Sequence, residues 1–174
     1  FVIIGITLYL VPCSRFCLLC DTHLGPDSMD EVISYIRSRH LPDSLVIFNS
    51  HSDWDHIWGN CRCSGSPIIG HEFCRERMIE RGEWDLRENR HQTRGGVRIT
   101  PPQVTFSERL VLEDEGIVFR HAPGHTRDSA VCAARPGRVL FLGDLVEDPI
   151  PYLDDGDLDR YLATLEAILT DEAE

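Results

Sequence analysis

Four side chains able to bind a metal ion, His51, Asp53, Asp55 and His56, fall within six consecutive positions of the chain. Imidazole beside carboxylate suits zinc, iron or manganese, and no cysteine interrupts the run to make it a structural zinc knot. The chemistry to expect is an open, catalytic metal site. Asp53 also has a plainer reading as a loop carboxylate facing solvent, since exposure is the default for Asp and an unpaired buried charge is costly.

The elements that would position these residues are legible upstream of each one. Ser44 to Phe48 is a short apolar, β-branched and aromatic run that reads as a buried strand, so the ligands emerge where a strand ends. Two later segments repeat the pattern. Phe119-Arg-His-Ala-Pro-Gly-His125-Thr and Arg138-Val-Leu-Phe-Leu-Gly-Asp144 each run from an apolar strand into a possible ligand, His125 in one and Asp144 in the other. Asp144 after Gly143 has an alternative reading as a turn residue. Taken singly, His71 and His121 are surface or satisfied core histidines rather than ligands. Trp54 and Trp58 flank the ligands as core or as the side of a cleft.

With these pieces the chain resembles the metallo-β-lactamase superfamily, in particular its glyoxalase II-like hydrolases, whose signature is His-x-His-x-Asp-His, then Gly-His, then Gly-Asp. Leu8-Tyr-Leu-Val11 and Leu18-Leu-Cys-Asp-Thr-His-Leu-Gly-Pro26 are similar to that family's two opening strands and Asp-Thr-Gly-type turn, so the resemblance spans nearly all of residues 1–174, taken as one domain. It implies an α/β fold, an αββα sandwich of two mixed sheets with helices outside and metals at one edge. Carried over, His51, Asp53 and His125 would hold one metal, Asp55 and His56 a second, and Asp144 would bridge them. Bound metal lowers the pKa of water to near 7 and polarises a carbonyl or phosphoryl oxygen. Asp55 would orient the attacking hydroxide and accept its proton.

Two departures from the pattern matter. Asp53 stands where the family has its second histidine, making the set harder and more anionic and moving the preference from zinc toward iron or manganese. The family's last histidine has no counterpart after His125. Either both ends of the chain are cut and that ligand lies beyond residue 174, or the site is mononuclear as it stands. The resemblance favours an ester-like substrate, a thioester ahead of lactone, β-lactam or phosphodiester. Sulfur dioxygenases of the superfamily hold one iron through two histidines and an aspartate, a set that His51, His125 and Asp144 would supply. Flavodiiron proteins also carry a carboxylate at the second motif histidine. A fold relic serving as an interaction module is the third reading.

Composition limits the partners. A formal charge of −12, from 17 basic and 29 acidic residues, repels phosphate backbones and anionic membranes, leaving a small-molecule substrate as the expected partner. The superfamily often forms dimers, so a homodimer is possible. The opening apolar segment, Phe1 to Val11, has no basic leader and is too short to span a membrane, and it reads as a strand in a cytoplasmic protein. Seven cysteines, an odd number, are expected to be reduced. Cys13, Cys17 and Cys20 share the spacing of a radical-SAM cluster motif, but a strand through Phe16 to Cys20 would turn Cys17 and Cys20 to opposite faces. Cys61 and Cys63 read as core filler rather than a redox pair.

Between the sites, a helix is expected from Pro26 to about His40, capped by Asp27 or Ser28 and buried through Met29, Val32, Ile33 and Ile36. Residues 71 to 92, with Trp84, read as a helical insertion roofing the cleft, and strands should resume near Val97. Further strands are expected at 116–121, 129–135 and 138–143. A last helix from about Leu158 to Leu169 should pack through Leu162, Leu165 and Leu169.

Overall fold

The computed structural model describes residues 2–3, 6–135, 138–154 and 156–171. Of the expected opening strand, residues 1, 4 and 5 therefore lie outside the described residues. Two sheets carry the architecture. In chain order the strands of the first are β3 (Tyr9–Pro12), β4 (Cys17–Cys20), β5 (Leu45–Asn49), β6 (Ile68–His71) and β7 (Val104–Phe106), adjacent in that order. β3 and β4 pair antiparallel, and β4 to β7 run parallel. The second sheet orders β11 (Val139–Phe141), β10 (Ala130–Ala134), β9 (Ile117–His121) and β8 (Arg109–Leu112), antiparallel throughout. A short pair, β1 (Val2–Ile3) and β2 (Ile6–Thr7), precedes them.

Strand alternation divides the core into layers. On β4, Leu18 and Cys20 join Phe48, Ile69 and Phe106 facing Ile117, Phe119, Cys132 and Phe141 of the second sheet, and Phe48 stacks on Phe119 with ring centroids 4.7 Å apart. Cys17 and Leu19 face the other way, with Ile47 and Ile68, onto Met29, Val32 and Ile36 of α1 (Pro26–Ser38). The expected separation of Cys17 from Cys20 is thus observed, and all seven cysteines are free. Behind the second sheet, Val131 and Leu140 pack on Tyr161, Leu165 and Ile168 of α4 (Leu158–Asp171). Helix, sheet, sheet and helix form the αββα sandwich.

Several local expectations need correction. The N-cap of α1 is Gly25, at φ 148° in a region that favours glycine, with no side-chain cap bond; Ser28 instead meets the Nδ1 of His23 at 2.9 Å. β6 precedes the insertion, whose helix α3 spans Glu72–Glu88. Residues 97–103 form no strand, because Val97 and Ile99 pack against the Trp58 and Met78 cluster and Pro101 and Pro102 have no N–H for a ladder. On α4, Leu162 and Leu169 are exposed, and the buried face is Tyr161 and Ile168 with Leu165 partly covered. Among the described residues, no helix is long and apolar enough to cross a membrane.

Truncation at the centre of the sandwich should be costly and truncation on α4's outer face should not. Phe48→Ala is expected to lower unfolding free energy by about 3–5 kcal/mol in chemical denaturation. Leu169→Ala, at a side chain 72% exposed, should change it by less than about 0.5 kcal/mol.

Candidate metal centre

Four strands deliver their following residues to one edge of the sandwich. β4 ends before Asp21, β5 before the loop carrying His51 and Asp53, β9 before the loop carrying His125, and β11 before a 3-10 turn, Gly143–Leu145, that carries Asp144. The short helix α2 (Trp54–Ile57) adds Asp55 and His56. Ser50 ties the two sheets together here, its carbonyl accepting from the Ala130 N–H at 2.7 Å. Gly143 sits at φ 56°, and a Cβ there would lie 2.8 Å from Ser50 Oγ, so the turn needs glycine for both conformation and space.

All six side chains singled out by the sequence meet at this edge. The ring centroid of His51 lies 4.3 Å from that of His56 and 4.9 Å from that of His125. Asp53 turns inward rather than to solvent: its Oδ2 lies 3.2 Å from His125 Nε2 and 3.6 Å from His51 Nε2, and the side chain is 29% exposed. These three offer donor atoms within 4.8 Å of one another. On the other side, His56 Nε2 faces Asp144 Oδ2 at 3.2 Å and Asp55 Oδ2 at 3.8 Å.

Each histidine presents Nε2 inward because its Nδ1 is held from behind. His56 Nδ1–H donates to Asp21 Oδ2 at 2.8 Å, and His125 Nδ1–H donates to the Tyr152 carbonyl at 2.6 Å. Ser50 N–H donates to Asp21 Oδ1 and Ser50 O–H to Asp21 Oδ2, at 2.8 and 2.7 Å. With its own proton committed, Ser50 Oγ accepts from His51 Nδ1–H at 2.8 Å, which leaves His51 Nε2 as a lone pair. That atom is buried and has no hydrogen-bond partner among the described residues. An orphaned imidazole nitrogen beside a carboxylate and a second imidazole fits a cation. Asp21 also forms a triplet with His51 and His56, but its oxygens are committed to Ser50 and to His56 Nδ1, so it acts as the outer partner.

Charge follows this geometry. Burial raises the Asp53 carboxyl, but the hydrogen bond from His125 and the nearness of His51 outweigh it and hold Asp53 far below the usual carboxylate range. Burial opposes charge on His125, yet the Asp53 bond prevails and lifts its pKa to about 9. His56 is likewise raised, against burial, by Asp21 and Asp144. Two residues of this machinery were not among the expected site residues: Asp21, which was read only as part of the Asp-Thr-Gly-type turn, and Arg77. Arg77, on α3, reaches within 3.6 Å of Asp53 Oδ1. Asp21 had a signal, an acid directly after a wholly apolar strand; Arg77 is one of 17 basic residues and had none. His71 and His121 stack on each other at 3.8 Å and donate to the carbonyls of Ser107 and Arg127, outside the cluster. Trp58 is buried core and Trp54 packs on it.

The sequence profile of the metallo-beta-lactamase superfamily matches residues 9–174. The chain belongs to that superfamily. None of the curated proteins matches it in sequence. Among solved structures it is similar to the metallo-β-lactamase FIM-1 from Pseudomonas aeruginosa in its mono-zinc form, at TM-score 0.76 and 18% identity over 97% of this chain and 72% of that one. A metallo-β-lactamase from Pontibacter korlensis gives 0.72 and 20% over 100% and 80%. TTHA1623 in a di-iron-bound form gives 0.69 and 18% over 98% and 85%. At these identities the likeness is one of fold, and the superfamily is one of metal-binding hydrolases.

Metal loading should release protons. At pH 7 the metal-free protein carries a proton on His125, whose pKa lies near 9, and a metal can only take the neutral imidazole. Calorimetric titration of zinc in buffers of different ionisation enthalpy is expected to show proton release at pH 7 that declines as pH rises through about 9. Equal heats in all buffers at pH 7 would contradict the ligand assignment of His125.

Proposed function

We propose that this chain is a metal-dependent hydrolase acting on an ester-like bond, with a glyoxalase II-like thioester substrate foremost and lactone, β-lactam or phosphodiester behind it. The observation that carries the metal reading is the buried, partnerless Nε2 of His51, set beside Asp53 and His125. In this reading His51, Asp53 and His125 hold one metal, and Asp55, His56 and Asp144 complete the site, with zinc, iron or manganese as the ion. When bound, such an ion supplies an activated water and a Lewis acid for the substrate oxygen.

The chain's own residues do the rest. Asp55, partly exposed beside His56, faces a cavity of about 740 Å³ and is placed to take a proton from water attacking a substrate held there. Tyr9, Phe141, Leu142 and Val146 give that cavity its apolar surface, and His56 and Asp144 its reactive end. Asp21 and Tyr152 fix the imidazole orientations, so little reorganisation is needed when substrate arrives.

An iron redox enzyme is the second reading, and Asp53 favours it, because a carboxylate in place of an imidazole makes a harder donor set. The two separate in one assay series. Metal-loaded protein is expected to cleave an acyl thioester, lose that activity to a chelator, and lose about 10²–10⁴-fold in kcat in Asp55→Asn with its tightest metal retained. Iron content with oxygen uptake and no ester or thioester turnover would replace the hydrolase by the redox reading. Absence of bound metal after loading would sink both and leave the interaction module.

A further inference from the structure

Arg77 projects from α3 toward the metal cluster, and its Nη2 lies 2.9 Å from Asp154 Oδ2 and 3.6 Å from Asp53 Oδ1. Asp53 is thereby split between two duties, Oδ1 turned to the guanidinium and Oδ2 to His125 and His51. Through Asp154 the same nitrogen reaches the cluster a second time, indirectly. Asp154 N–H donates to the His125 carbonyl at 2.8 Å, two residues after the Tyr152 carbonyl that holds His125 Nδ1. One cation on the helical insertion is therefore linked to both groups set beside the buried His51 Nε2, directly to Asp53 and through Asp154 to His125. Its side chain is 26% exposed, shielded enough for charge to act at this range.

Resting on the reading of His51, Asp53 and His125 as a metal site, we infer that Arg77 is a positioning residue whose charge balances Asp53, so that the pair replaces a neutral third imidazole at that metal. Arg77 offsets part of the charge that the exchange adds, because it is shared with Asp154. A histidine ligand adds none; Asp53 adds one negative charge and Arg77 returns one positive charge beside it. Arg77 also favours one oxygen facing inward, since its positive charge stands on the Oδ1 side of the carboxylate. The two effects of the guanidinium on a metal oppose each other: it repels the cation, and it orders the ligand. In the natural chain they offset. With histidine at position 53 only the repulsion remains.

That opposition gives a double-mutant cycle with a predicted sign. Zinc and ferrous-ion dissociation constants would be measured by chelator competition on the full chain, for the natural protein, Arg77→Gln, Asp53→His and the double variant, with the cobalt-substituted absorption spectrum of each. Replacing Arg77 is expected to strengthen binding by at least about tenfold more in the Asp53→His background than in the natural one, within the range of outer-partner effects. Arg77→Lys, which keeps the charge and disturbs packing least, should stay close to the natural protein in affinity. Equal shifts in both backgrounds, within about threefold, would overturn the inference and leave Arg77 as the ion partner of Asp154. Metal binding by none of the proteins would overturn it together with the metal-site reading.

Discussion

One buried carboxylate, Asp21, governs the geometry of the candidate site. It is wholly inaccessible and sits at φ 64°, a conformation rarely held by a residue with a side chain. A charge in that place is tolerable only if both oxygens find donors, and they do: Ser50 N–H, Ser50 O–H and His56 Nδ1–H converge on them. Through Ser50 Oγ it also dictates the tautomer of His51. The end of β4 therefore orients candidate ligands delivered by β5 and α2, and the parallel pairing of β4 with β5 is what holds the two strand ends side by side.

The site that results is poorly balanced on its own. Asp21, Asp53, Asp55 and Asp144 crowd three imidazoles, and His51 Nε2 is left without a partner. Protons on His56 and His125 relieve this in the absence of metal, which explains why both are raised despite burial. A divalent ion would relieve it more fully and stabilise the folded chain by linkage. Local imbalance of this kind, placed on a sandwich whose layers are otherwise apolar, marks function rather than folding.

The sequence disclosed strands and ligands better than it disclosed what lies behind them. Side-chain period made β4 readable, including the opposite facing of Cys17 and Cys20, and the candidate ligands stood out because they follow apolar strands. It failed where one pattern serves two structures. Val97-Arg-Ile-Thr alternates like a strand, but its apolar residues dock on α3's cluster. On α4 the rows 162/165/169 and 161/165/168 share Leu165, and Tyr161, donating its hydroxyl to the Leu145 carbonyl, decides the matter. Arg77 and the Tyr152 carbonyl were invisible for another reason: a partner brought in by tertiary packing has no local spacing to betray it.

Imidazole and carboxylate, not thiolate, are the groups placed to hold a metal at the strand ends. With seven free cysteines in the chain, the most direct test is X-ray absorption at the metal edge of the protein as purified. Nitrogen and oxygen are expected as the nearest scatterers at about 2.0–2.2 Å, with the outer scattering of at least two imidazoles. Sulfur at about 2.3 Å, or no imidazole pattern, would place the metal elsewhere and contradict that assignment.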